Sequence, residues 1–361
     1  MATTLNAITG ASGTLGSHIA EQLVARGDRV RALIRPTSDT RFLRELGVEL
    51  LEGDATDRAS VEQLVSGADV VYHCAAKTGN WGAWSEYRRE NVEATQNVVR
   101  ACSAHGEVRR MLHVSSIAAY GHPRAQDRPL GEDAPLGQRL WLWDHYNRSK
   151  IEAEWCVRTL RSRGTIIRPT LFYGPRDKAF LPRIMRALCQ EGVWLIGSGE
   201  NLLNVIYVAD VAELAIAAAG REEAAGQAYN ACTEGDLTQR ELIHSLCKAM
   251  QLPPVHRRIP KRFAYCAGFA AELIGRVLRK KQSPKITRHA ISAFVRPVHF
   301  SNSKARLTLG WRPRVNTREG LARTLAWLKT EMPELFGATV AAPPAVHRSR
   351  VEDEDLQHSC H

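Results

Sequence analysis

No apolar run in the 361-residue chain approaches the ~20 residues needed to span a bilayer, and its start lacks the charged-then-apolar pattern of a secretory signal. The eight cysteines (Cys74, Cys102, Cys156, Cys189, Cys232, Cys247, Cys266 and Cys360) include no C-x-x-C pair and no His/Cys cluster at metal spacing. Most lie in apolar stretches, where a thiol packs as a small hydrophobe. A disulfide framework and a metal site are therefore not expected, and the reading is a cytoplasmic protein. No internal repeat occurs, and 44% hydrophobic with 24% charged residues gives no bias toward disorder or fibre. Acids are scarce in one place only: between Arg257 and Arg288, ten Lys or Arg stand against the single acid Glu272. The formal net charge of +11 is thus local, which argues against a nucleic-acid-binding surface over the whole chain.

What the sequence does have is rhythm. Short apolar runs (Leu5–Thr9, Arg29–Arg35, Val48–Gly53, Val70–Ala75, Arg110–Ser115) alternate with amphipathic segments such as Leu15, Ile19, Leu23 at i, i+4, i+8. A sixth run, Thr165–Arg168, follows the helix that Tyr146 opens. The pattern predicts an α/β fold, a Rossmann-type doubly wound parallel sheet. Beyond Pro169, helical patterns at Leu181–Gln190, Val211–Ala219, Arg240–Met250, Lys261–Arg279 and Arg318–Thr330 predict a smaller, mostly helical C-terminal substrate lobe. The expected organisation is a dinucleotide-binding core over 1–170, a substrate lobe over 171–337 with the chain crossing between them, and a disordered tail over 338–361.

Residues Thr9 to Gly16 read TGASGTLG, with Gly10, Gly13 and Gly16 between the first strand and its helix. Glycines there let the backbone approach a pyrophosphate, while the helix N-terminus supplies N–H donors and positive potential. The second strand ends VRALIR, with Arg35 where NAD binders commonly carry an acid for the ribose 2′-hydroxyl. A guanidinium suits a 2′-phosphate, so NADP(H) is favoured over NAD(H); the alternative is a solvated strand-end charge. Asp54, in GDATD with Ala55, closes the third strand where a carboxylate could accept from the adenine amino group, though aspartate there is also ordinary turn chemistry.

Tyr146 and Lys150 stand four apart in YNRSK, on one helix face, and Ser116 lies just beyond the fifth strand in HVSSIAAYG. Free tyrosine exchanges protons poorly at neutral pH. A nearby ammonium, helped by a nicotinamide cation, is expected to lower its pKa so that it can pass a proton to or from a substrate oxygen. The lysine can also hold the nicotinamide ribose, and the serine can fix the substrate oxygen.

Taken in order and spacing, TGASGTLG, GDATD, YHCAA, HVSSIAAYG, YNRSK and IIRPTLFYGPRD resemble the extended short-chain dehydrogenase/reductases over roughly Thr4 to Leu328. Within them the chain looks similar to the branch of 3β-hydroxysteroid and 4-carboxysterol dehydrogenases and bacterial 2-alkyl-3-oxoacid reductases, the last through AAKTGNWGAW and ENVEATQNVV. The resemblance implies Ser116, Tyr146 and Lys150 as the catalytic set. It implies cofactor contacts at Gly10, Ser12, Gly13, Thr14, Leu15, Asp54, Ala75, Ala76, Lys77 and Pro169, to which Gly16, Arg35, Ala55, Tyr146 and Lys150 are added.

Aromatic residues cluster where substrate should enter: Trp81 and Trp84 after the fourth strand, Trp141 and Trp143 before Tyr146, Phe172 and Tyr173 after the sixth. Trp81, Trp84, Trp143 and Tyr173 are the candidate substrate contacts, with lid packing as the competing reading. The expected function is an NAD(P)-dependent oxidoreductase interconverting 3-hydroxy and 3-keto groups on a hydrophobic, steroid-like or long-chain substrate. The alternatives are a sugar-nucleotide epimerase or dehydratase and a non-catalytic NADP-sensing regulator. His73 and His113, in apolar strands, read as satisfied core histidines, Arg168 as a structural residue, and Asp210 equally as a helix cap. Residues 261–281 form an amphipathic helix with Phe263, Cys266, Ala270, Leu273, Ile274 and Val277 on one face and basic residues at both ends. Peripheral contact with an anionic membrane is one reading; burial in the lobe or a homodimer contact is the other.

Overall fold

The computed structural model describes residues 4–190, 193–233, 235 and 237–337; the tail expected over 338–361 lies outside the described residues. Six strands, β1 (Leu5–Thr9), β2 (Arg29–Ile34), β3 (Glu49–Glu52), β4 (Val70–His73), β5 (Arg110–Val114) and β6 (Gly164–Pro169), are joined by a seventh, Ala228–Ala231. Their order is Ala228–Ala231, β6, β5, β4, β1, β2, β3, and every neighbour pairs in parallel. β1 and β5 are buried at every residue, as strands covered on both faces must be.

Two apolar layers cover the sheet. Helix α1 (Thr14–Ala25) and helix Val208–Gly220 build one, through Leu15, Ile19, Leu23, Val211 and Leu214. Helices Arg58–Val65, Ala94–Ala104 and His145–Arg158 build the other, through Val61, Leu64, Val98 and Val157. A third core lies beyond β6. There Leu171–Tyr173 pairs with Val205–Tyr207, and helices Phe180–Gln190, Gln239–Ala249 and Thr317–Glu331 pack around Tyr173, Leu181, Leu242 and Leu321.

β2, β4 and β5 each stop one or two residues short of the ends read from sequence. Arg35, Cys74–Ala75 and Ser115 leave the ladder at the carboxyl edge. Those departures turn backbone and side chains toward the crevice where strand order reverses between β1 and β4, the usual ligand position of such sheets. The strand at Ala228–Ala231 and the helices Arg288–Val295 and Ser303–Leu309 had no counterpart in the sequence reading. All three are short, and the helix at Arg288 starts on a Thr287 hydroxyl that accepts from the Ala290 amide.

Candidate active site

The crevice is a cavity of about 580 Å³ running from the glycine loop, across the ends of β4 and β5, to helix Arg288–Val295. Gly10 has φ of 71°, and a Cβ there would sit 2.7 Å from the Ala75 nitrogen. A Cβ on Gly16 would lie 2.3 Å from the Gly10 carbonyl oxygen. Glycine is therefore required at both positions, and the loop presses against the β4 exit. Gly13 caps α1, whose first turn carries no acid, so the helix N-terminus faces the cavity un-neutralised. This cradle fits a dinucleotide pyrophosphate.

Ser116, Tyr146 and Lys150 converge on the same cavity. Ser116 caps the short 3-10 turn Ile117–Tyr120, its Oγ accepting from the Ala118 amide at 3.1 Å. The Lys150 Nζ donates to the Val114 carbonyl at 2.9 Å and lies 6.0 Å from the Tyr146 ring centroid. Burial pulls the Lys150 ammonium down to about 8. Burial pushes Tyr146 above the ordinary phenol value, opposed by a hydrogen bond with Ser116. The expected lowering of Tyr146 is thus not a property of the protein alone: desolvation outweighs its polar neighbours, and the phenol is protonated at neutral pH.

Several residues that hold this geometry had no motif to reveal them. Asn91, in a π-helical turn at Arg88–Glu93, accepts from the Lys77 amide at 2.6 Å and donates to the Lys77 carbonyl at 3.0 Å. It also donates to Ser149 Oγ at 2.8 Å, which fastens the β4 exit loop to helix His145–Arg158. Ser115 donates to Glu154 at 2.6 Å, and Arg168 grips the same carboxylate with two bonds of 2.9 and 2.8 Å. Arg168 also donates to the Tyr120 hydroxyl, so its guanidinium is consumed inside the fold, the structural reading. Asp144 accepts from His122, Asn147 and the Trp141 amide.

Every sequence candidate for the cofactor lies on the cavity wall: Gly10, Ser12, Gly13, Thr14, Leu15, Gly16, Arg35, Asp54, Ala55, Ala75, Ala76, Lys77 and Pro169. Ser38 joins Arg35 there, its hydroxyl accepting from the Arg35 amide at 3.1 Å. His73 bonds Thr9 and Thr95, and burial takes it down to about 3. His113 stacks on it, but neither ring nitrogen has a hydrogen-bond partner, so only one of the pair is the satisfied core histidine expected. Asp210 lies inside the first turn of its helix, accepting from the Arg314 and Val315 amides instead of capping.

The aromatic candidates are a correction. Tyr173 is buried in the lobe core, edge-on to Tyr207, and its hydroxyl donates to the Thr317 carbonyl; Phe172 reaches the cavity in its place. On a strand, neighbouring side chains point to opposite faces, which explains the exchange. Trp81, Trp84 and Trp143 do not line the cavity either. The Arg276 guanidinium sits 4.8 Å from the Trp81 ring and 4.6 Å from Trp143, Trp143 stacks on Phe269, and Arg148 covers Trp84 at 4.2 Å. Trp81 and Trp143 bind helix Lys261–Val277 to the body, while Trp84 packs on helix His145–Arg158. His289, Ser292 and Arg296 line the cavity beyond Tyr146 and escaped the sequence reading, because their helix is too short to show a periodicity.

Comparisons with known proteins agree with this geometry. The model of the NAD dependent epimerase/dehydratase family matches residues 7–232. A 2-alkyl-3-oxoalkanoate reductase of Stenotrophomonas maltophilia is 34% identical over 328 residues, covering 88% of this chain and 98% of its own. A decarboxylating sterol-4-alpha-carboxylate 3-dehydrogenase of Dictyostelium discoideum is 25% identical, covering 87% of this chain and 98% of its own. The solved structure of gox2253 superposes with a TM-score of 0.74 at 27% identity, covering 91% of this chain and 98% of that one. The chain belongs to the NAD dependent epimerase/dehydratase family, the extended short-chain dehydrogenase/reductases, and is a nicotinamide-dependent enzyme of oxidoreductase type.

Proposed function

We propose that the protein reduces the 3-keto group of a hydrophobic, long-chain or steroid-like substrate with NADPH, using Ser116, Tyr146 and Lys150. The observation that carries this reading is the convergence of those three side chains on one cavity with the glycine loop. The bound cofactor supplies the hydride. Ser116 holds the carbonyl oxygen, Tyr146 donates its proton to that oxygen, and the Lys150 ammonium stabilises the phenolate left behind. At neutral pH the phenol is in the protonated form that a proton donor in reduction requires. Reductase and dehydrogenase relatives support the reaction class. Arg35 and Ser38 at the end of β2, with no acid there, support the preference for a 2′-phosphate.

The proposal extends to a peripheral contact of helix Lys261–Val277 with an anionic bilayer. That helix packs inward through its small face: Ala264, Gly268 and Gly275 are buried, and Cβ atoms on the two glycines would meet Ile291 and Trp81 at 2.9 Å. Its large apolar residues point out, with Phe263 69%, Ile274 55% and Val277 71% exposed, among basic Lys261, Arg262, Arg279, Lys280 and Lys281. The segment's only acid, Glu272, is buried against Arg288 at 2.7 Å, so the outer surface presents cations alone. Exposed apolar side chains ringed by cations match an anionic lipid surface, each basic residue adding about 1 kcal/mol. Among the described residues no helix is long and apolar enough to cross a membrane.

Tyr146→Phe should retain NADPH binding, followed by cofactor fluorescence, and lose roughly 10²–10⁴ in turnover on a confirmed ketone. A variant that keeps half the wild-type rate removes Tyr146 from the mechanism. With NADPH saturating, kcat/KM for reduction should fall as pH rises through about 8, where Lys150 loses its charge, and Lys150→Met should lack that inflection. A wild-type profile flat to pH 10 contradicts the lysine's role.

Wild-type protein should bind NADPH more tightly than NADH, and Arg35→Ala should weaken NADPH roughly tenfold or more while sparing NADH. Equal wild-type affinities would sink the 2′-phosphate assignment. Sedimentation with liposomes should require anionic lipid, weaken with salt, and drop when Arg279, Lys280 and Lys281 become glutamine. Absence of co-sedimentation at low salt, or self-association through this face instead, rules out the membrane contact.

A further inference from the structure

Helix Arg288–Val295 forms the far wall of the cavity, and the residues it turns inward are His289, Ser292 and Ala293, with Arg296 just past its end. They stand at i, i+3, i+4 and i+7, one face of a helix. His289 sits edge-on to the Tyr146 ring, 6.0 Å between centroids, so this face begins at the proton donor. Arg296 lies two turns further, roughly 10 Å along the axis.

Among the described residues no carboxylate pairs with Arg296. Its Nη1 is out of solvent and makes no hydrogen bond there; Phe300 lies 5.8 Å away, and Tyr265 acts on it electrostatically. Arg296 is half-buried on the cavity wall, and a guanidinium nitrogen shut off from water without a partner is costly unless a ligand completes it. The acids on the cavity wall are Asp54, Glu90 and Asp177. Asp54 lies at the end of β3 and accepts from Thr56, and Asp177 is spent on the amides of Ala179, Phe180 and Leu181. Glu90 lies 3.8 Å from the Arg89 guanidinium. Asp144, which Arg296 feels electrostatically but does not pair with, accepts from His122 and Asn147 through Oδ2, while its Oδ1 is buried without a partner. Burial pulls Arg296 down to about 10, so it is still a cation at neutral pH.

We infer that Arg296 is the receptor for an anionic head on the substrate, a carboxylate close to the keto group, and that it selects 3-oxoacids over neutral ketones of equal apolarity. The guanidinium presents two parallel N–H donors to a carboxylate, a match that neither an ester nor an alcohol can reproduce. In the same cavity, Phe172 and Phe180 offer apolar wall for the chain of such an acid. Two relatives carry a carboxylate in their names, one as an alkanoate and one as a sterol carboxylate. The inference rests on the ketone-reductase reading above and narrows it to acids.

The test compares a medium-chain 3-oxoacid with its methyl ester, using NADPH-loaded wild-type protein, Arg296→Gln and Arg296→Lys. Wild type should prefer the acid, and the acid-to-ester ratio of kcat/KM should fall roughly ten- to a hundredfold in Arg296→Gln. Arg296→Lys, which keeps the charge but not the fork, should recover part of it. Equal turnover of acid and ester by wild type overturns the inference and leaves the reductase reading standing. Ligand binding separates the reverse case. Decanoate, and not decanol, should raise the melting temperature of wild type, with the difference lost in Arg296→Gln. That pattern without turnover of either ketone supports Arg296 as a carboxylate receptor and removes the reductase reading. A shift produced by a nucleotide sugar and not by decanoate assigns Arg296 to phosphate, and so overturns the carboxylate.

Discussion

The site depends on how one helix is seated on one strand. Helix His145–Arg158 meets the end of β5 through polar groups removed from water: Lys150 on the Val114 carbonyl, and Ser115 on a Glu154 that Arg168 also clasps. A buried carboxylate and guanidinium pair offsets its desolvation only when the geometry is good and the remaining lone pairs are satisfied. Here the carboxylate receives both Arg168 bonds and the Ser115 hydroxyl, while Arg168 spends a further donor on Tyr120. Breaking one member strands a charge, at a cost of about 3–5 kcal/mol. Lys150 and Glu154 stand one turn apart, so the pair that fixes the helix also fixes the height at which the ammonium and Tyr146 reach the cavity.

That seating carries an electrostatic consequence. Lys150 is buried and Tyr146 half-buried at the cavity wall, and burial moves the two in opposite directions: the ammonium becomes easier to deprotonate and the phenol harder. Both shifts favour neutral forms. The phenol is thus a weaker acid than free tyrosine, and it would need a neighbouring charge such as the Lys150 ammonium to give up its proton. The phenolate it leaves would then be held by a charge already in position, with little solvent to reorganise.

The sequence made the cofactor half of the cavity legible because that half is built from local backbone requirements. Gly10 and Gly16 sit where a Cβ would collide, and a strand-to-helix turn keeps those glycines together in the chain. Ser116, Tyr146 and Lys150 were legible for a similar reason, being tied to strand ends and helical spacing. The substrate half was not. Phe172 and Tyr173 are adjacent, and only the register of a two-residue alternation decides which one sees the cavity; that register is set by pairing with Val205–Tyr207, more than thirty residues away. Asn91 likewise shows its purpose only when the fold brings Lys77 and Ser149 to either side of it. The tryptophans were read by composition as a substrate surface. Trp81 and Trp143 meet Arg276 of the basic segment and Trp84 meets Arg148, pairings that no local pattern announces.

Those aromatic–arginine contacts make the basic segment part of the site's architecture. Arg288 joins both: its guanidinium holds Glu272 of helix Lys261–Val277, and its own helix turns His289, Ser292 and Arg296 into the cavity. Trp143 takes the left-handed φ of 68°, a strained conformation for a tryptophan, and is held there by Arg276 and Phe269 three residues before Tyr146. The exposed apolar helix is therefore linked to Tyr146 along two routes, one through Arg288 and His289, the other through Trp143. A surface seated on that helix would bear on the cavity wall that carries Arg296 and on the turn that leads into Tyr146, so that for a substrate dissolved in lipid, docking and alignment would be a single event.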